Sequence, residues 1–335
     1  MASPVQQLES FTFSPPFWLT NPHLQTLFPQ LFRRRPRLDL QSERVELPDG
    51  DYIDLAWAAD RGGPRVLILH GLEGSLTSHY IGPAITCLEA AGYTPVFMHL
   101  RGCGPEVNRL PRSYHSGATE DLLWVLERLA GDGRPIGGAV GFSLGGNILL
   151  KYLGEAKNDS LLDCAAAISV PFRLDSAGKR LERGLSQIYQ RYLLDKLKRS
   201  YHRKKHLLPP DLQVKTTTIK TLRQYDELIT APLNGFSSAD DYYTRCSSSG
   251  FIGHITRPTL ILQALDDPFM YAEDIPETNA LGPGVELLTT KHGGHVAFIE
   301  KGLPWHSPTS LIDRLVPAFF QRHLKPPPPP PATAN

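Results

Sequence analysis

The chain has 335 residues, of which 41% are apolar and 21% are charged, and its 35 Lys and Arg residues nearly balance 34 Asp and Glu residues. This composition is typical of a soluble globular protein, and the length indicates one large domain with an insertion, or two domains. The net charge of +1 argues against a general nucleic-acid binder, because such binding needs a basic surplus on the contact face.

The cysteines and the N-terminal residues give an expectation about the cellular compartment. The wide spacing of the cysteines predicts neither a zinc site nor a dense disulfide framework. The simplest interpretation is that the protein resides in a reducing compartment. The first residues lack the basic and apolar segments of a secretory signal, and no stretch of about 18 apolar residues predicts a membrane span. We therefore expect a cytoplasmic protein whose free cysteines are Cys87, Cys103, Cys164 and Cys246.

Short apolar runs alternate with segments of helical spacing along much of the chain. Runs of this kind are typical of strands that helices cover on both faces. The predicted strands are 66–69, 94–100, 136–140, 164–170, 259–264 and 285–289, and the predicted helices are 82–92, 118–133, 144–156 and 310–323. The alternation predicts a doubly wound, mostly parallel α/β sheet with functional groups at the carboxyl ends of its strands.

Three segments depart from this alternation. Residues 171–255 are strongly charged and helical in pattern, and we interpret them as a helical cap inserted between the core segments 46–170 and 256–324. Residues 1–45 are rich in proline and aromatic side chains and predict an N-terminal arm packed on the core, although its aromatic part could line an acyl entrance or contact a membrane. Residues 325–335, with six consecutive prolines, predict a disordered tail.

The sequence around Ser143 has the form G-x-S-x-G, from Gly141 to Gly145. It lies between a predicted buried strand and a predicted helix, where a sharp turn lifts a serine hydroxyl clear of the sheet edge. Alone the pattern is weak, because a glycine-rich turn that opens a helix has the same form. Its position after a strand makes Ser143 a candidate nucleophile.

A serine nucleophile needs a base, and the base needs an acid that orients it. Asp266 and Asp267 follow the predicted strand 259–264, and His292 and His295 follow the next strand, in the order Ser, Asp, His that this fold requires. Asp267 is the stronger candidate acid because Pro268 restricts the turn after it. His295 is the candidate base, because two glycines before it allow a close approach of the backbone, and we expect His292 to support the loop.

The intermediate of such a reaction also needs hydrogen-bond donors for its oxyanion. The backbone N–H of Leu144, at the start of the helix after Ser143, is one candidate. The turn His70-Gly71-Leu72-Glu73-Gly74 after the first predicted strand should supply the second through the N–H of Leu72. We expect His70 to orient this turn, although the segment could be only a loop between strand and helix.

Six motifs between about residue 17 and about residue 320 extend this pattern: NPHLQTLFP, HGLEGSLTSHY, RGCGPEVNRLPRSYHSGATEDL, GFSLGGNILLKYLGE, ALDDPFM and HGGHVAFIE. Together they closely resemble the YheT-like family of α/β-hydrolases. The resemblance implies a capped α/β-hydrolase without metal or cofactor and a catalytic triad of Ser143, Asp267 and His295. It also implies hydrolysis of short- to medium-chain acyl esters, and some eukaryotic relatives act on phospholipids or acylglycerols.

These observations predict a serine hydrolase that cleaves carboxylic esters, of a small molecule or a lipid, through an acyl-enzyme. Two alternatives stay open: a non-catalytic lipid-binding or scaffold protein on this fold, and an acyltransferase or cofactor-free haloperoxidase-like enzyme on the same triad. The basic stretch at 196–205 could attract anionic lipid and give peripheral contact with a membrane, but charge runs are usually solvated helix faces. The sequence predicts no oligomeric state, acyl-chain length or leaving group.

Overall fold

An eight-stranded sheet runs through the part of the chain that the computed structural model describes, residues 12–33, 35–301 and 308–324. Its order is β1-β2-β4-β3-β5-β6-β7-β8. The strands β3 to β8 are parallel, whereas β1 and β2 are antiparallel to their neighbours. They are β1 (Gln41–Glu46), β2 (Tyr52–Trp57), β3 (Arg65–Leu69), β4 (Thr94–Met98), β5 (Ile136–Phe142), β6 (Cys164–Ile168), β7 (Thr259–Ala264) and β8 (Val285–Thr290).

A two-stranded antiparallel sheet and ten α-helices complete the described structure. The small sheet pairs β9 (Ile299–Lys301) with β10 (Thr309–Ser310). The helices are α1 (Pro22–Phe32), α2 (Ile81–Ala90), α3 (Thr119–Gly131), α4 (Leu144–Ala156), α5 (Leu174–Leu181), α6 (Ser186–Lys204), α7 (Leu222–Tyr225), α8 (Ala231–Leu233), α9 (Ala239–Cys246) and α10 (Leu311–His323). A π-helical turn, Asp226–Thr230, joins α7 to α8. Among the described residues, no helix is both long and apolar enough to cross a membrane.

Helices cover the sheet on both faces, as the alternation predicts. On one face, α3 and α4 pack against Leu67, Leu69 and Val96 through side chains such as Leu126 and Ile148. On the other face, α2 and α10 pack against Val66, Ile68 and Phe97. The strands β4, β6 and β7 are buried along their whole length, which explains why they read as continuous apolar runs. The prediction of a doubly wound, mostly parallel α/β sheet is confirmed.

The first two strands were absent from the sequence-based prediction. The predicted boundary between arm and core at residue 45 falls inside β1, and α1 forms within the predicted arm. In β1 most residues are exposed, and β2 contains a buried aspartate, Asp54, that bonds Arg44 of β1 at 2.8 Å. These features conceal the apolar signal of a strand. The first eleven residues, Arg34 and the predicted tail at 325–335 lie outside the described residues.

The segment between β6 and β7 carries the helices α5 to α9 and covers the edge of the sheet at which β5 ends. Its two apolar clusters are built around Leu194 and Tyr225, and around Phe236 and Tyr242. We call this segment, residues 171–255, the helical insertion. It encloses a cavity above Ser143, to which the core and the insertion both contribute.

Candidate active site

Ser143 lies in a strained turn between β5 and α4. Its backbone has φ 52° and ψ −118°, a conformation that side-chain-bearing residues adopt only where the surroundings hold them. The two glycines of the motif make the turn tight: a Cβ at Gly141 would lie 2.5 Å from the carbonyl oxygen of Gly145, and one at Gly145 would lie 2.6 Å from that of His70. The turn therefore requires glycine at both positions, as the G-x-S-x-G motif predicts.

The structure brings the three predicted residues Ser143, His295 and Asp267 together. His295 Nε2 lies 3.0 Å from Ser143 Oγ, and His295 Nδ1 lies 2.9 Å from Asp267 Oδ2. A carboxylate only accepts hydrogen bonds, so Nδ1–H donates to Asp267 and leaves Nε2 free to accept from the serine hydroxyl. Asp267 is 3% exposed, and the Phe269 ring stacks on the imidazole with centroids 3.9 Å apart.

The neighbouring pair, Asp266 and His292, supports the loop. Asp266 Oδ1 accepts from the backbone N–H of Gly294 at 3.0 Å, and Asp266 Oδ2 lies 3.2 Å from His292 Nδ1. Burial raises the pKa of Asp266. Neither side chain hydrogen-bonds Ser143, whereas His295 does and Asp267 bonds His295.

The two predicted oxyanion donors lie beside Ser143. Leu72 and Leu144 line the same cavity as Ser143, and a Cβ at Gly71 would lie 3.2 Å from the Cβ of Ser143. No acceptor among the described residues takes a hydrogen bond from the backbone N–H of Leu72 or of Leu144. Both groups are therefore available to a ligand above the serine.

His70 orients the turn that carries Leu72. Its Nδ1–H donates to the carbonyl oxygen of Gly71 at 2.7 Å, and its Nε2 accepts from the backbone N–H of Leu100 at 3.1 Å. Burial lowers the pKa of His70 to about 4, so the ring is neutral at physiological pH and can fill both roles. This geometry matches the orienting role that the sequence suggested.

The helix α1 holds the loop of His295, a contact that the sequence did not reveal. The hydroxyl of Thr26 accepts from the backbone N–H of His295 at 3.0 Å and donates to the carbonyl of Pro22 at 2.7 Å. The Gln25 amide accepts from the N–H of Ile299 and donates to its carbonyl, at 3.0 and 3.1 Å. A local signal did exist for the helix itself, since Asn21 caps it and Pro22 occupies its first turn.

A second unpredicted contact joins the helical insertion to the turn of Leu72. Glu73 has φ 51°, and its carboxylate accepts from the Tyr114 hydroxyl at 3.1 Å and from the Ser200 hydroxyl at 2.5 Å. Its backbone N–H donates to the Tyr114 oxygen at 2.7 Å, and its carbonyl accepts from Lys196 Nζ at 3.3 Å. Since Lys196 and Ser200 belong to α6, this helix fixes the residue next to Leu72.

The cavity above Ser143 has a volume of about 340 Å³, and its walls are mainly apolar. Aliphatic and aromatic side chains from the insertion provide much of the lining: Leu174, Leu181, Leu193, Leu197, Leu222, Ile229, Tyr189 and Tyr225. A few ionisable groups also face it. Burial raises the pKa of Asp226 to about 6, and the Tyr243 hydroxyl donates to this carboxyl at 2.7 Å. Burial lowers the pKa of Lys204 to about 8.

Metal-binding geometry is missing from the described ranges 12–33, 35–301 and 308–324. No three or more His, Cys, Asp or Glu side chains come together there in a group that could hold a metal ion. The polar groups beside the cavity include the Ser143 hydroxyl, the His295 imidazole and the backbone N–H groups of Leu72 and Leu144.

Comparison with known proteins shows which family the chain resembles. A family model described as the alpha/beta hydrolase fold matches residues 64–302. The chain is 43% identical over 298 residues to YheT of Escherichia coli (strain K12), covering 87% of this chain and 88% of that protein. It is 31% identical over 324 residues to the phospholipase ABHD3 of Mus musculus, covering 92% and 78%.

Solved structures agree on the fold. The esterase Pf2001 of Pyrococcus furiosus aligns over 93% of this chain and 100% of that chain, with a TM-score of 0.58 and 21% sequence identity. The family model spans well over half of the chain, and relatives above 30% identity align along most of its length. The chain therefore belongs to the α/β-hydrolase family.

Proposed function

We propose that the protein is a serine hydrolase that cleaves carboxylic esters through an acyl-enzyme. One observation carries the proposal: the hydrogen-bonded series Ser143, His295, Asp267 opens into an apolar cavity beside two unpaired backbone N–H groups. A hydroxyl, an imidazole and a buried carboxyl group at these distances form the arrangement that nucleophilic acyl transfer needs.

In the first half of the reaction, Ser143 is acylated. His295 Nε2 takes the proton of Ser143 Oγ as the oxygen attacks the ester carbonyl, and Asp267 stabilises the imidazolium that forms. The N–H groups of Leu72 and Leu144 hold the negative oxygen of the tetrahedral intermediate. His295 then donates its proton to the departing alcohol, and the acyl group stays on Ser143.

In the second half, water replaces the alcohol. His295 removes a proton from a water molecule, which attacks the acyl-enzyme carbonyl, and the same two N–H groups hold the second intermediate. Collapse of that intermediate returns the proton from His295 to Ser143 Oγ and releases the carboxylic acid. Nothing in this sequence of steps calls for a group other than those of the chain and water.

The cavity supports an ester with an apolar acyl chain as the substrate. A volume of about 340 Å³ is within the range of small-molecule sites, and the aliphatic walls contributed by the insertion suit hydrocarbon. The name of the relative ABHD3, a phospholipase, is in keeping with a substrate derived from lipid. We propose short- to medium-chain acyl esters, including lipid-derived ones, as the substrate class.

The test combines covalent labelling with a series of p-nitrophenyl esters of graded chain length. The Ser143→Ala variant should lose fluorophosphonate labelling and at least about 10³-fold in kcat/KM, because no nucleophile remains. The matched control is Ser78→Ala, since Ser78 lines the same cavity but bonds the backbone N–H of Ser75. Labelling that persists in Ser143→Ala would rule out the assignment, and a wild-type protein that resists labelling would favour a non-catalytic lipid binder.

A further inference from the structure

An exposed apolar stripe lies on α1, at the N-terminal end of the described chain. Leu24, Leu27 and Leu31 share one face of this helix because they are three and four residues apart, and they are between 40% and 75% exposed. The opposite face packs on the core through Gln25 and Phe28, which are buried. The three leucines belong to none of the apolar core clusters formed by the described residues.

A second exposed apolar stripe begins α6 of the helical insertion. Leu185, Ile188 and Tyr192 have the same spacing of three and four residues, and they are between 50% and 62% exposed. Single exposed apolar residues are ordinary on protein surfaces, whereas contiguous patches mark contact sites. Each stripe is a set of neighbouring exposed apolar side chains of this kind, and the two helices that carry them contact each other.

The two stripes flank the mouth of the cavity. His23 of α1 and Tyr189 of α6 stack with centroids 5.8 Å apart, and His23 Nδ1 lies 3.1 Å from the Tyr189 hydroxyl. Gln30 and Tyr192 line the cavity and are themselves exposed, so the cavity reaches solvent between these helices. We call the surface formed by Leu24, Leu27, Leu31, Leu185, Ile188 and Tyr192 the entrance face.

The surroundings of the entrance face are strongly basic. Residues 182–205 carry eight Lys and Arg residues against two acidic residues, Glu182 and Asp195. Arg183 and Arg191 are exposed, and neither forms an ion pair with a residue in the described ranges. Lys204 is buried, and the Lys196 and Lys198 ammonium groups bond backbone carbonyls, so Arg183 and Arg191 are the basic side chains that lie exposed beside the stripe of α6.

We propose that the entrance face docks on an anionic lipid bilayer, with the apolar stripes of α1 and α6 in the headgroup region and the basic residues near lipid phosphates. Apolar side chains bordered by Lys and Arg are the features that hold a helix in a membrane interface. A bilayer is also the partner that the cavity suits, because an acyl chain could pass from the membrane between the helices without crossing water. A protein partner needs only the apolar patch and leaves the excess of positive charge unexplained.

The experiment measures co-sedimentation of the full chain with vesicles, either of phosphatidylcholine alone or with 30% phosphatidylglycerol. The wild type should bind the anionic vesicles, and raising the salt concentration should weaken binding. The double variant Leu31→Asp with Ile188→Asp, one residue from each stripe, should lower the partition coefficient at least about tenfold. It should retain hydrolysis of a water-soluble short ester within about twofold, which shows that it is folded.

Two controls separate the entrance face from nonspecific effects. Leu123→Asp with Leu161→Asp adds the same charge at exposed leucines elsewhere, and it should leave vesicle binding within about twofold of the wild type. Arg183→Gln with Arg191→Gln should weaken binding to anionic vesicles without affecting the apolar stripes. Equal losses in the two aspartate pairs, or no binding by the wild type, would overturn the proposal. Dimers in light scattering that dissociate only in the entrance-face variant, without vesicle binding, would assign the face to a second copy instead.

Discussion

The hydroxyl of Thr26 offers a direct way to disturb the proposed base without touching it. Thr26 is 2% exposed, and the substitution Thr26→Val keeps its shape while it removes the acceptor for the backbone N–H of His295 and the donor to the carbonyl of Pro22. His295 is itself 8% exposed, so its N–H has little access to water. A buried donor left without a partner costs about 1–3 kcal/mol.

That cost should emerge in one of two measurements. If the loop keeps its position, the unpaired N–H lowers the free energy of unfolding by about 1–3 kcal/mol. If the loop moves to hydrate the N–H, His295 Nε2 leaves its position 3.0 Å from Ser143 Oγ. The same energy then appears in the barrier, as a loss of about 5- to 150-fold in kcat.

The assay is hydrolysis of p-nitrophenyl butyrate together with urea unfolding followed by circular dichroism. Thr259→Val is the matched control, because Thr259 is also fully buried and its hydroxyl donates to a backbone carbonyl, that of Arg257, at 2.9 Å. Thr259 begins β7, at the opposite edge of the sheet from the site. The reasoning fails if Thr26→Val keeps kcat within twofold of the wild type and its free energy of unfolding lies within about 0.5 kcal/mol of that of Thr259→Val.

Two further predictions concern stability. Gly141→Ala would place a Cβ 2.5 Å from the carbonyl oxygen of Gly145 and should lower the free energy of unfolding by about 1–3 kcal/mol or more. At Gly178 in α5 a Cβ meets nothing within 4 Å, so Gly178→Ala should raise the free energy of unfolding by up to about 1 kcal/mol in the same urea titrations. Burial raises the pKa of Asp226 to about 6 in the folded chain, above the value of about 3.9 for a free aspartate. The folded state therefore binds the proton more tightly, and ionisation destabilises the wild type as pH rises from about 4 to about 6, by roughly 3 kcal/mol. The advantage of Asp226→Asn over the wild type should grow across that range, and a difference that is flat with pH would contradict the cause assigned to this pKa.

The sequence predicted the central strands and the candidate residues Ser143, Asp267 and His295 because the patterns that indicate them are local. A buried parallel strand is a continuous apolar run, and the turn of Ser143 needs glycines at fixed spacing. Asp267 and His295 were identified by the same rule, since each follows a strand whose end lies at one edge of the sheet. The order of the strands brings these ends to the same edge of the sheet, where the side chains lie 2.9 and 3.0 Å apart.

The contacts that orient these residues could not be predicted in the same way. Thr26 and Gln25 bond backbone groups 269 and 274 residues further along the chain, and no periodicity or spacing records such a pairing. β1 and β2 were missed for a related reason. The buried Asp54 suits a strand only because Arg44 lies opposite it, and that pairing is a property of the folded sheet.

Glu73 shows how the insertion and the proposed oxyanion site depend on each other. A residue at φ 51° is strained by about 1 kcal/mol unless it is glycine, so glycine would be the simpler choice for the turn. The glutamate is favoured there because its carboxylate accepts from Tyr114 of the core and from Ser200 of α6, and hydrogen bonds to a charged group stabilise by about 1.5–3 kcal/mol each. If α6 withdraws, the carboxylate loses Ser200 and the carbonyl loses Lys196, which leaves the strained Glu73 with its hydrogen bonds to Tyr114. The helix that forms one wall of the cavity mouth thus also holds the turn that presents the Leu72 N–H, so movement of α6 at the entrance should alter the geometry above Ser143.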